Sequence, residues 1–253
     1  MIIKNDQDLK GIIEAGKVAA EVLHKMAARL RPGITTGQLD KIGEELMLRY
    51  GARSAPKVMY NFPGATCISV IPEVAHGIPG DRVIQPGDLV NIDVSIELNG
   101  YYGDNGMSIP VELEDPKALQ VCEVAKEARA AAIAAARPGG RINEIGKAVE
   151  QVAINRGVHI IKNLCGHGLG RSLHEAPETI LNYYSRFERG KIAAGQVLAL
   201  EPFISDGPEA VTEGGYDEWA LVVPKGHYVA QFEHSIIVLE GQTIITTIQP
   251  EEL

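Results

Sequence analysis

Apolar residues near the start of the chain recur three and four positions apart. "DLKGIIEAGKVAAEVLHKMAARL" (8–30) therefore predicts an amphipathic helix. "RPGITTGQLDKIGEELMLRYG" (31–51) predicts a loop and a second helix closed by the glycine at its end. The period then changes from helical to alternating. In "LVNIDVSIEL" (89–98), Val90, Ile92, Val94, Ile96 and Leu98 fall on one face and Asn91, Asp93, Ser95 and Glu97 on the other, which predicts a strand. Asn99-Gly100 is a strong two-residue hairpin signal, and "YYGDNGMSIPV" runs back from it. A regular ladder places Leu98 opposite Tyr101 and Asp104 opposite Ser95. Asp104 is then diagonal to Asp93 on the same face. Further on, "PKALQVCEVAKEARAAAIAAA" opens at Asp115-Pro116, a cap and first-turn pair, and predicts a third long helix. "QVLALEPFI" (196–204) and "YVAQFEHSIIVL" (228–239) predict two apolar strands, each carrying one glutamate.

These elements repeat. "RPGITTGQLDKIGEELMLRYG" corresponds to "RPGGRINEIGKAVEQVAINRG" (137–157), with Lys41 and Lys147, and Glu44 and Glu150, in step. "CISVIPEVAHGIP" (67–79) corresponds to "CGHGLGRSLHEAP" (165–177), aligning Cys67 with Cys165, His76 with His174 and Pro79 with Pro177. "PGDLVNID" corresponds to "AGQVLALE", which sets Asp93 against Glu201. The expectation is an α+β chain forming one domain over residues 1–253, with two helix–helix–strand copies at about 6–111 and 116–240. Two such halves would face each other across a cleft, where pockets tend to form.

A length of 253 residues with 45% hydrophobic content suffices for a large core. No run reaches the roughly 18 apolar residues of a membrane span, and the first residues have no leader pattern, so a cytoplasmic location is expected. A formal charge of −9 gives no footing on nucleic acid, where binding begins with cations on phosphates. Cys67, Cys122 and Cys165 are widely spread, without a C-x-x-C, and are expected to be buried thiols in a reducing compartment. The acidic "SDGPEAVTEGGYDEWA" (205–220) is expected to be a solvated loop.

The hairpin's two aspartates repel each other unless something positive lies between them. On the hairpin alone, a wet sheet face with two unrelated acids accounts for them as well as a shared cation does. A lone acid within an apolar strand is costly unless paired or metal-bound, which makes Glu201 and Glu233 informative. Asp93, Asp104, His167, Glu201 and Glu233 together carry four carboxylates and one imidazole. Two divalent ions would balance that charge, the arrangement of a dinuclear hydrolytic centre with metals roughly 3.5–4 Å apart.

The motifs "AHGIP" (75–79), "NIDV" (91–94), "YGD" (102–104), "GHGLGRSLHEAP" (166–177), "LEPF" (200–203) and "QFEHS" (231–235) resemble those of the type I methionine aminopeptidases, metallopeptidases of the pita-bread fold, over nearly the whole chain. The interval between His167 and Glu201, and that between Glu201 and Glu233, leave no room for the helical insertion of the type II enzymes. The resemblance implies the pita-bread fold, with two pseudo-symmetric halves around a central antiparallel sheet. It implies two divalent ions, of cobalt, manganese, iron, zinc or nickel, on the five ligands: Asp93 on the second metal, Asp104 and Glu233 bridging, His167 and Glu201 completing the first. Glu201 would also carry protons, His174 would donate to the oxyanion, and His76 would contact the peptide near the scissile bond. Tyr60, Phe62, Cys67 and Trp219 would line the methionine pocket. The substrates implied are N-terminal methionine peptides of nascent chains with a small second residue, met by a monomer in passing contact with the ribosome. The chain departs from the family at Leu173, where an aromatic is frequent, at Ile71-Pro72, in place of an Asn-Glu pair near a monovalent-cation site, and in "DNGMS" after Asp104. The alternatives are an X-Pro-cleaving relative, which substrate choice distinguishes, and a metal-free binding module on the same fold, which metal content distinguishes.

Overall fold

The computed structural model describes residues 1–214 and 218–248. Helix α1 (Asp6–Ala27) starts at Asn5, whose side chain accepts from the Asp8 N–H. Helix α2 (Thr36–Arg49) starts with a capping box between Thr35 and Gln38. Strand β1 (Arg53–Ser54) leads into the short helix α3 (Ala55–Tyr60), then β2 (Cys67–Val70), β3 (Glu73–Ala75) and the hairpin of β4 (Asp88–Leu98) and β5 (Tyr101–Val111). Helix α4 (Pro116–Ala135) is capped by Asp115, with Pro116 in its first turn, and α5 (Ile142–Arg156) ends on left-handed Gly157. The second half continues with β6 (His159–Ile160), β7 (Cys165–Gly168), β8 (Glu175–Leu181), β9 (Gln196–Leu200), β10 (Phe203–Ser205), β11 (Thr212–Glu213), β12 (Leu221–Val222), β13 (Val229–Gln231), β14 (His234–Leu239) and β15 (Gln242–Ile245).

Pairing is antiparallel wherever strands meet. The β4–β5 ladder is regular, with Leu98 opposite Tyr101 and Ser95 opposite Asp104, and Gly103 and Gly106 cause no shift. In place of one central sheet, the described residues form four hydrogen-bonded sheets. β4 carries β1, β2 and β5; a five-stranded sheet runs β15-β14-β9-β7-β8; and two three-stranded sheets, β13-β10-β6 and β11-β12-β3, complete the set. The hairpin joins the five-stranded sheet through the Glu233 N–H to the Gly106 carbonyl (2.9 Å) and the Asp104 N–H to Ser235 Oγ (3.1 Å). Corresponding strands pair in corresponding register. Cys67 faces Asp93 across β2–β4, and the β7–β9 ladder, which pairs His167 with Ala199, points Cys165 towards Glu201.

The two apolar strands expected at 196–204 and 228–239 are each broken at their glutamate. β9 stops at Leu200 and β10 begins at Phe203; β13 stops at Gln231 and β14 begins at His234. β9 and β14 pair in the large sheet, β10 and β13 in a small one. Pro202 has no N–H for a ladder, so the sheet change there forgoes no hydrogen bond from that residue.

Each helix pair covers its own core. Ile12, Leu23, Met26, Leu39, Ile92 and Ile96 belong to the first, and Val121, Val124, Ile145, Val149, Leu198 and Ile236 to the second. The alternating face of β4, from Val90 to Leu98, lies wholly in the first core. The acidic stretch 205–220 is less a solvated loop than expected: Ser205 and Val211 are buried, Thr212–Glu213 pair with β12, and Glu209 binds Lys162 at 2.6 Å. Residues 215–217 of that stretch lie outside the described residues. Cys67 and Cys122 are buried, Cys165 is half-buried, and all three are free thiols. No helix among the described residues is long and apolar enough to cross a membrane.

Candidate active site

A cavity of about 390 Å³ opens between the two cores. Asp93, Asp104, His167, Glu201 and Glu233 border it, together with His76, His174, Tyr60, Phe62, Cys67 and Trp219. Every residue named from the sequence as ligand, donor or pocket lining therefore meets this one space. Pro56, Ser95 and Leu173 also line it.

The acidic wall comes from the strands' polar side and from the two strand breaks. Asp93 and Asp104 stand on the shared face of β4 and β5, and Ser95 donates to Asp104 Oδ1 at 2.7 Å. His167 comes from β7, where its Nδ1–H reaches the Gly168 carbonyl at 3.0 Å. That bond leaves Nε2 unprotonated in the neutral ring. Nε2 lies 3.5 Å from Asp104 Oδ2 and 3.6 Å from Glu201 Oε1. Donor atoms of Asp104, His167 and Glu233 lie within 4.8 Å of one another, and all three residues are buried. Asp93 Oδ1 and Glu233 Oε1 are buried with no hydrogen-bond partner. Burial first, then the neighbouring carboxylates, pushes Asp93, Glu201 and Glu233 well above the ordinary carboxylate range. Lone pairs facing lone pairs, two orphaned oxygens and an oxygen-rich donor set fit hard or borderline divalent cations.

The opposite wall is aromatic. Phe62 and Trp219 meet edge to face with centroids 5.2 Å apart. Asp40 on α2 ties down the segment between Phe62 and Cys67, accepting from the Ala65 N–H (3.1 Å) and from the Thr66 N–H and hydroxyl (2.7 Å each). Tyr60 ends α3, which Ser54 caps and Pro56 opens. Its hydroxyl lies 2.5 Å from His174 Nδ1. Desolvation and the Asp104 charge hold the phenol above its usual pKa, so it is the donor in that pair. Desolvation, then the adjacent His167, lowers His174 to about 4. His174 is thus neutral near pH 7, with its proton on Nε2, the nitrogen opposite the Tyr60 bond. His76 holds φ at 57° between buried Ala75 and Gly77, a conformation that costs a non-glycine residue about 1–3 kcal/mol and concentrates at functional sites.

Residues 10–240 match the model of metallopeptidase family M24. The chain belongs to that family. Within M24 it belongs with the methionine aminopeptidases. It is 48% identical to the methionine aminopeptidase of Staphylococcus epidermidis over 98% of both chains, and 44% identical to methionine aminopeptidase 2 of Bacillus subtilis over 98% of this chain and 99% of that one. The crystal structure of methionine aminopeptidase from Rickettsia prowazekii superposes with a TM-score of 0.92 at 32% identity, covering 98% of this chain and 100% of that one. The fold is the pita-bread fold of the M24 metallopeptidases.

Four residues at the site, Pro56, Ser95, Leu173 and Gln231, are not legible as site residues in the sequence. Leu173, buried at the cavity edge, was noted only as a departure from an aromatic. Gln231, which donates to Glu233 Oε2 at 3.0 Å, lies two positions before that glutamate, on a strand whose break no alternation pattern signals.

Proposed function

We propose that the chain removes N-terminal methionine from nascent polypeptides with a small second residue, in the cytoplasm, as a type I enzyme in which residues 1–253 act as one catalytic unit. The observation that carries this reading is His167 Nε2 facing the Asp104 and Glu201 carboxylates across 3.5 and 3.6 Å, beneath an aromatic pocket. Asp93, Asp104, His167, Glu201 and Glu233 would hold a pair of divalent ions. When bound, such ions supply Lewis-acid polarisation of the scissile carbonyl and activation of the attacking water.

The chain's own groups do the rest. Phe62, Trp219, Tyr60 and Cys67 receive the methionine side chain, whose polarisable thioether suits an aromatic pocket. His174, neutral and protonated on Nε2, donates a hydrogen bond to the oxygen that gains charge as the carbonyl is attacked. His76 meets the peptide near the scissile bond. Glu201, already displaced towards protonation by its surroundings, takes the proton from the attacking water and delivers it to the departing amine.

The decisive assay compares release of the first residue from Met-Ala-Ser with release from Lys-, Leu- and X-Pro-peptides, in the presence of Mn²⁺, Co²⁺ or Fe²⁺. Methionine release, abolished by chelation, is expected. Preferential cleavage of the X-Pro arm would assign the chain to the other substrate class, and no release with any metal would refute the reading.

A further inference from the structure

Glu233 presents two different oxygens. Oε1 is buried without a partner, whereas Oε2 accepts from Gln231 Nε2 at 3.0 Å. The Gln231 carboxamide is itself oriented: Asn91 Nδ2 donates to its Oε1 at 2.8 Å, and its backbone N–H donates to Ser108 Oγ at 2.9 Å. Asn91 Nδ2 also reaches Ser108 Oγ at 3.2 Å. All of these groups are buried. The amide lies beside the hairpin at Gly106, the residue paired with Asp93, where a Cβ would come within 2.5 Å of Gln231 Oε1 and 2.7 Å of its Nε2. The glycine of the unusual "DNGMS" run therefore makes the space that the amide fills.

We propose that Gln231 is a positioning residue for the metal centre: oriented by Asn91 and admitted by Gly106, its amide fixes the orientation of the Glu233 carboxylate through Oε2 and keeps the unpartnered Oε1 available to a cation. This rests on the five-ligand reading above. The chemistry is specific to an amide in one orientation. Turned over, Gln231 would place its oxygen against Glu233 and its NH₂ against the NH₂ of Asn91, two like-polarity contacts in a buried site. A neutral donor also holds a carboxylate in place without cancelling the negative charge that attracts the cation. Groups that orient metal ligands in this way typically contribute about 10–100-fold to metal affinity.

The test is calorimetric titration of EDTA-treated protein with Mn²⁺, which reads metal binding directly and not turnover. Gln231→Met keeps the side-chain length and removes the donor; its Mn²⁺ affinity is expected to fall about 10–100-fold while metal-free thermal unfolding stays cooperative. Asn91→Ala is expected to weaken binding in the same direction. The double variant should bind no more weakly than Gln231→Met alone, because Asn91 acts through Gln231. Should Gln231→Met not fold, Gly106→Ala, which expels the amide while leaving residue 231 intact, is expected to reproduce the loss. Wild-type Mn²⁺ affinity in Gln231→Met, or additive losses from Asn91→Ala and Gln231→Met, would overturn the proposal. A wild-type protein that binds no Mn²⁺ would instead overturn the metal reading on which it rests.

Discussion

His167 on β7 and His174 just before β8 differ in which ring nitrogen is free. His167 donates Nδ1–H to the Gly168 carbonyl and turns Nε2 towards carboxylates; His174 has Nδ1 occupied by Tyr60 and retains a proton on Nε2. The first arrangement suits a cation and the second an oxyanion. His174→Ala is accordingly expected to lower kcat by about 10²–10³ with KM for Met-Ala-Ser and metal content little changed. Tyr60→Phe removes only the hydrogen bond that selects the tautomer, so steady-state kinetics should show a smaller loss in kcat than for His174→Ala. Equal KM increases in both variants, with kcat intact, would show that the two residues serve binding alone. The family resemblance of "GHGLGRSLHEAP" pointed to both histidines, and both line the cavity. The nitrogen each one uses was not legible, because that depends on a neighbouring carbonyl and on a tyrosine from a distant helix.

At the scale of elements, the β4–β5 hairpin was readable down to its pairing because strict alternation and an Asn-Gly turn fix a two-residue register. The strands carrying Glu201 and Glu233 were not readable as broken. Apolar runs lie on both sides of each break, Val197–Leu200 and Phe203–Ile204 around the first and Val229–Ala230 and Ile236–Leu239 around the second, and periodicity does not report a change of sheet when each sheet buries its strand. Helix α1 crosses the hairpin so closely that a Cβ at Gly103 would lie 2.6 Å from the Ala15 carbonyl oxygen and 2.8 Å from the Gly16 nitrogen. Backbone cannot yield there as a side-chain end can. Gly103→Ala should therefore cost about 1–3 kcal/mol in denaturant unfolding, whereas Gly80→Ala, with open space around its Cβ, should stay within about 0.5 kcal/mol. The loop between β7 and β8 that carries His174 is tethered to the same hairpin. Arg171 stacks over the Tyr101 ring at 3.6 Å and donates to Asp8 (2.9 Å), the Tyr101 hydroxyl (2.6 Å) and the Gly100 carbonyl (3.2 Å). Arg171→Ala is expected to reduce kcat by up to about 100-fold through misplacement of His174. Arg171→Lys should recover little of it, because an ammonium cannot both stack and fork. Retained wild-type kcat in Arg171→Ala would show that the loop holds its shape without this anchor.

Across the whole molecule, the junction of two cores concentrates acid where water is excluded, and that ties stability to both pH and metal. The Asp93, Glu201 and Glu233 carboxyls lie well above the ordinary range through burial and mutual repulsion. In the unfolded chain they titrate near about 4. Between that pH and their folded values the native state holds more protons, so their contribution to metal-free stability falls as pH rises. His174 and His234, lowered by burial to about 4 and about 3, act in the opposite sense below about pH 6.5, where the unfolded chain takes up protons that the native state refuses. The metal-free melting curve is thus a sum of opposed slopes. The difference between metal-loaded and metal-free protein separates them, because neither of those histidines is among the five proposed ligands, whereas a carboxylate must lose its proton to bind a metal. The rise in Tm on adding a fixed concentration of Mn²⁺ should therefore be small at pH 5.5 and grow towards pH 8, following the ligand-linked stabilisation of the native state. Differential scanning fluorimetry with EDTA-treated protein measures it. A Tm increment independent of pH would mean that the ion binds away from these carboxylates, and Glu233→Gln should flatten the pH dependence if it binds among them.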